Sequence, residues 1–150
     1  MEQTTFKSII NFAIEKEKEA AAFYDSAVSL SQRPQMKQVF QELAVEERKH
    51  EKILSQITEE QIEDYPTQPI QNLKISDYLV EVPFRPDMEY QEMLILAMKR
   101  EEKSYNLYTN LANNATDEGM RKLFLTLANE EAKHKRRLET EYDDYVYKEN

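Results

Sequence analysis

This sequence is written twice. Slid along itself by 84 positions, the distance from His50 to His134, and with no gap, it lays Ala13 on Ala97, Glu17 on Glu101, Tyr24 on Tyr108, Met36 on Met120 and Phe40 on Phe124. The register holds through Leu43 and Leu127, Ala44 and Ala128, Glu46 and Glu130, Glu47 and Glu131, Lys49 and Lys133, His50 and His134, and Leu54 and Leu138. A repeat of this kind is the mark of one supersecondary unit used two times, so every further feature has to be read in pairs.

The unit is helical. Charged residues make up 33% of the chain and the apolar ones recur at intervals of three and four, a pattern that favours long amphipathic helices over strands. Each copy breaks once in its middle, at Ser31-Gln32-Arg33-Pro34 and at Asn113-Asn114-Ala115-Thr116-Asp117, both rich in turn and N-cap residues. The spacing predicts helices at about 5 to 31, 34 to 61, 87 to 113 and 117 to 147, each roughly 40 Å long. Between the hairpins, the stretch from about 62 to 86 holds Pro66, Pro69, Pro83 and Pro86, with a short helix expected around Ile75 to Val80. That length suits a crossover along the bundle rather than a tight turn. The expected architecture is all-α: an antiparallel four-helix bundle of two repeated hairpins joined by a long crossover, forming one domain over residues 1–150.

Composition removes several functions. A single glycine, Gly119, cannot build the glycine-rich loops that cradle phosphates. With no cysteine there is no disulfide, catalytic thiol or thiolate-bound metal, so any metal must take N and O ligands. A net charge of −9 repels a phosphate backbone, which argues against nucleic acid as a partner. The N-terminal residues carry charges early and show no uninterrupted apolar run, so neither a signal peptide nor a membrane span is expected. A cytoplasmic protein is the simplest reading.

The chemistry shows where the apolar seams are interrupted. In the second helix one core-facing seam runs Met36, Phe40, Leu43, Glu47, His50, Leu54 and Ile57; in the fourth it runs Met120, Phe124, Leu127, Glu131, His134, Leu138 and Tyr142. The first helix offers Ala13, Glu17, Ala20, Tyr24 and Ala27, and the third Ala97, Glu101, Ser104, Tyr108 and Leu111. Packed antiparallel, these helices bring Glu17, Glu47, His50, Glu101, Glu131 and His134 to one layer. Four buried carboxylates without partners would cost several kcal/mol each, and the seams carry no Lys or Arg. Two divalent cations balance their charge, and neutral imidazoles complete the ligand set. Glu47 with His50, and Glu131 with His134, sit three apart on one helix face and can chelate one ion. By analogy with di-metal bundles, Glu17 and Glu101 are terminal ligands while Glu47 and Glu131 bridge. Small residues at Ala13, Ala20, Ala97 and Ser104 leave room for metals and a small oxidant. Glu46 and Glu130 fall one position off the seam and read as surface charges; Met36, Phe40, Met120 and Phe124 read as packing.

These residues resemble the rubrerythrin branch of the ferritin-like di-iron carboxylate proteins. The resemblance rests on Glu17 and Tyr24, Glu47-x-x-His50, Glu101 and Tyr108, and Glu131-x-x-His134, and it covers nearly the whole chain. It implies a ferritin-like fold, two iron ions, and hydrogen bonds from Tyr24 and Tyr108 to metal-bound glutamates. It also implies reduction of peroxide or oxidation of Fe(II). Two departures stand out: there is no four-cysteine rubredoxin domain to deliver electrons, and Ser104 stands where the family tends to place an extra glutamate. Electrons would then come from an external donor protein, to a small oxidant such as peroxide or dioxygen. The competing readings are iron storage or ferroxidase handling, and a non-redox site for Mn or Zn, since O and N ligands do not select iron strongly. The expected assembly is a homodimer or small homo-oligomer rather than a cage.

Overall fold

The computed structural model describes residues 6–57, 78 and 84–149. Four helices organise them: α1 (Phe6–Leu30), α2 (Pro34–Ser55), α3 (Tyr90–Asn114) and α4 (Glu118–Glu149). Strands are absent among the described residues. The closest helix packing is between α1 and α2 and between α3 and α4, so the repeat appears as two antiparallel hairpins facing each other. Most of the crossover, including the short helix expected around Ile75 to Val80, lies outside the described residues.

Local chemistry sets most of the boundaries. At the first turn Ser31 donates its hydroxyl to the Ala27 carbonyl at 2.7 Å, and Pro34 opens α2, where its missing N–H costs nothing. At the second turn the Asp117 carboxylate accepts the Met120 N–H at 2.9 Å and caps α4. Gly119 lies two residues beyond that cap, and a Cβ there would come within 3.0 Å of Asp117 Oδ2. The one glycine thus keeps the capping carboxylate unhindered. Before α3, Glu92 Oε1 accepts the Glu89 N–H at 3.3 Å and the helix begins at Tyr90.

One boundary differs from the sequence reading. The second helix was expected to reach residue 61, but α2 ends at Ser55. Gln56 and Ile57 bond back to the Ile53 and Leu54 carbonyls at 3.2 Å, three residues away. This tightened turn satisfies the last carbonyls and stops the helix once Leu54, its last fully buried side chain, is in place.

The core is divided in two. One cluster joins the N-terminal end of α1, Leu54, the later half of α3 and the start of α4, with Phe6 edge-on to Phe124 at 6.2 Å. The other joins the later half of α1, the start of α2, the first half of α3 and Leu138, with Tyr24 stacked on Phe40 at 5.9 Å. Along every helix the change from one cluster to the other falls where Glu17, Glu47 and His50, Glu101, or Glu131 and His134 occur. Phe40 and Phe124 are wholly buried at equivalent places in the two clusters, each contributing about 1.5–3 kcal/mol by leaving water. The Tyr-rich end of α4 folds onto the second cluster, where Tyr145 meets the Tyr90 ring edge-on at 5.1 Å.

Candidate metal centre

All six side chains picked from the seams point inward and meet. Glu17, Glu47, Glu101 and Glu131 are each no more than 2% exposed, His50 is fully buried and His134 is 9% exposed. Ligand atoms of Glu17, Glu47, His50 and Glu131 lie within 4.8 Å of one another, and so do those of Glu47, Glu101, Glu131 and His134. Glu47 and Glu131 belong to both groups; Glu17 and Glu101 belong to one each.

The two histidines lie face to face, with ring centres 5.7 Å apart and planes within 11° of parallel. Each aims Nδ1 into the layer and comes nearest to a glutamate of the opposite hairpin. His50 Nδ1 is 2.7 Å from Glu131, 3.6 Å from Glu17 and 3.8 Å from Glu47. His134 Nδ1 is 2.9 Å from Glu47 and 3.6 Å from both Glu101 and Glu131. The tyrosines cross over in the same way: Tyr24 donates its hydroxyl to Glu101 at 2.6 Å, and Tyr108 donates to Glu17 at 2.5 Å. The tyrosine–glutamate hydrogen bonds that the resemblance implied are present.

Burial and mutual repulsion govern the protons of this layer. Burial, reinforced by Glu101 and neighbouring carboxylates, raises Glu47 and Glu131 well above the usual carboxylate range. Burial acts against charge on Glu101 too, but His134 beside it wins and holds its carboxyl low. For His50 burial disfavours the imidazolium, yet Glu131 and Glu17 push its pKa up to about 11. Burial followed by the adjacent Glu101 or Glu17 keeps Tyr24 and Tyr108 protonated well past their usual range, so both hydroxyls remain donors. A field that holds protons at Glu47, Glu131 and His50 also attracts cations, and metal uptake must displace those protons.

The donor set fits a pair of metal ions. Glu17 Oε2, His50 Nδ1, Glu101 Oε2 and Glu131 Oε1 are buried without a hydrogen-bond partner; the short His50–Glu131 approach lacks hydrogen-bond angles. Buried polar atoms without partners are costly, and a coordinated cation, which displaces the proton on His50, satisfies them together. On one side of the layer, between α1 and α3, Ala20 and Ser104 line a cavity of about 80 Å³ with Lys16, Glu19, Arg100 and Lys103.

One reading of the sequence is corrected here. Glu130 is no free surface charge: its carboxylate sits directly on Nε2 of His50, the ring nitrogen turned away from the layer. Glu46 is half-buried beside them, with a carboxylate oxygen in the same small group, and pairs with Lys49 at 3.2 Å. A helix-wheel argument excludes both, because they lie one step off the seam. For Glu130 the recurrence in the repeat was the available signal, although its counterpart Glu46 makes no such contact with a histidine ring nitrogen.

Fold and site together define a class: ferritin-like bundles whose facing helices hold two metal ions among glutamates and histidines. The chain belongs to the rubrerythrin family, which it matches over residues 8–142. Among solved structures, a Thermotoga maritima protein described as a ferritin-like diiron-carboxylate protein shares the fold. Its TM-score is 0.79 at 22% identity, with 97% of this chain and 99% of that one covered. No curated protein matches the chain. Among the described residues, no helix is long and apolar enough to cross a membrane.

Proposed function

We propose that Glu17, Glu47, His50, Glu101, Glu131 and His134 hold two iron ions, and that the centre is an oxidoreductase for peroxide or dioxygen supplied with electrons by another protein. The observation that carries this reading is the membership of Glu47 and Glu131 in both ligand groups, as two bridging carboxylates require. Glu17 with His50 then completes one position, and Glu101 with His134 the other.

Bound iron would supply the two electrons that, with two protons, convert peroxide to two waters. The chain does the rest. Glu47 and Glu131 fix the spacing of the two positions, and Tyr24 and Tyr108 hold Glu101 and Glu17 in place through their hydroxyl protons. The two apolar clusters flank the layer at either end, and the cavity at Ala20 and Ser104, each one helical turn from Glu17 or Glu101, is the approach this reading assigns to a small oxidant. Lys16, Arg100 and Lys103 outnumber Glu19 at its wall, which disfavours cation traffic by that route. A cytoplasmic setting and a dimer or small oligomer belong to the same proposal.

The test is to load the protein anaerobically with Fe(II), add peroxide, and measure the ferrous iron remaining. Rapid oxidation of two ions per chain, repeated on each addition of an external reductant, is the expected result. Ferrous iron that survives peroxide would sink the enzyme reading. Elemental analysis of Glu47→Ala and His134→Ala separates this from failure to bind: both variants should lose metal.

A further inference from the structure

We infer that Glu130 is a positioning residue for His50, and that it makes the two metal positions unequal. The inference rests on the reading of the six seam residues as ligands. An imidazole has two nitrogens, and the partner of the outer one fixes the tautomer and ring orientation that the inner one presents to a metal. The outer nitrogen of His50 is Nε2, and it lies against the Glu130 carboxylate. His50 has no exposed surface, so water from solvent does not reach that nitrogen, and the protein itself must supply its acceptor. Glu130 comes from α4 of the opposite hairpin, and its side chain is 37% exposed. Its carboxylate thus reaches from a solvent-facing position on α4 to the outer edge of a buried ring. With a carboxylate behind it, His50 is the stronger base at Nδ1 and costs no freedom of rotation when a metal binds.

The other half is built differently. His134 keeps 9% of its surface open, whereas the repeat counterpart of Glu130 is Glu46, and Glu46 is engaged by Lys49 at 3.2 Å. The position served by His50 is thus the braced one and the position served by His134 the looser one. Two ions bound by a nearly symmetric ligand set should differ in affinity for this reason.

Cobalt(II) titrated at fixed pH into the metal-free full-length chain, and followed by its visible absorption, reads this directly. Wild type should fill two sites, one tighter than the other. Glu130→Ala should weaken the tighter one by about 10- to 100-fold and leave the second within about threefold. Glu130→Gln keeps an acceptor oxygen at the same place and should recover most of the loss. Glu46→Ala should leave both sites near wild type. Thermal melts of the metal-free variants should superimpose, since the role is exerted on the ring and not on the fold. The inference is overturned if Glu130→Ala weakens both sites equally or neither, or if the variant melts well below wild type. It is also overturned if wild type binds a third ion that Glu130→Ala abolishes, because Glu130 would then be a ligand. A wild-type chain that takes up no cobalt defeats the ligand reading itself, an outcome distinct from all of these.

Discussion

The two hairpins carry the same letters at the same heights, yet they do not surround their histidines alike. His50 is sealed and gripped from behind by Glu130, while His134 keeps 9% of its surface open and has no such carboxylate from the repeat position behind it. Elsewhere the halves mirror one another: Tyr24 serves Glu101 as Tyr108 serves Glu17, and Phe40 fills one apolar cluster as Phe124 fills the other. Symmetry is kept where a side chain touches the layer and relaxed one step outside it. Duplication thus fixes which groups meet, and the flanking residues set how firmly each is held.

Paired substitutions break or sharpen this likeness. The largest effect is expected from the core: Phe40→Ala and Phe124→Ala should each cost about 3–5 kcal/mol in denaturant unfolding, and by nearly equal amounts. A wide gap between them would show that the clusters are not equivalent. Next come the hydroxyls. Tyr24→Phe and Tyr108→Phe each remove a hydrogen bond to a buried carboxylate and should cost about 1.5–3 kcal/mol, measured the same way. Matching losses would extend the symmetry to the layer; one silent variant would end it. The smallest effect concerns the turns. Asp117→Ala should cost about 1 kcal/mol, because it caps α4 with its side chain. Arg33 makes no side-chain cap at the start of α2, so Arg33→Ala should change stability far less by that route.

The sequence revealed the helices, their pairing and the six inward-facing ionisable residues, because period and repeat act at short range along each helix. Glu17 and Glu131 could be matched across the bundle since burying either alone is prohibitive. Glu130 escaped the same logic. Its position is decided by how α4 is rotated against α2, and one step of rotation separates a surface carboxylate from one that braces a ring. The end of α2 escaped too: Gln56 and Ile57 carry no strong stop signal, and the helix closes where its buried face runs out. The cavity beside Ala20 and Ser104 was foreshadowed by small side chains, whereas its cationic wall depends on which flanks of α1 and α3 adjoin.

Each tyrosine hydroxyl reaches across to the other hairpin's glutamate, and this ties cargo to architecture. A protein whose halves have slipped apart forfeits both contacts at once, and neither half can compensate from within. The layer of glutamates is therefore fully tied down only in a molecule whose two hairpins have closed on each other.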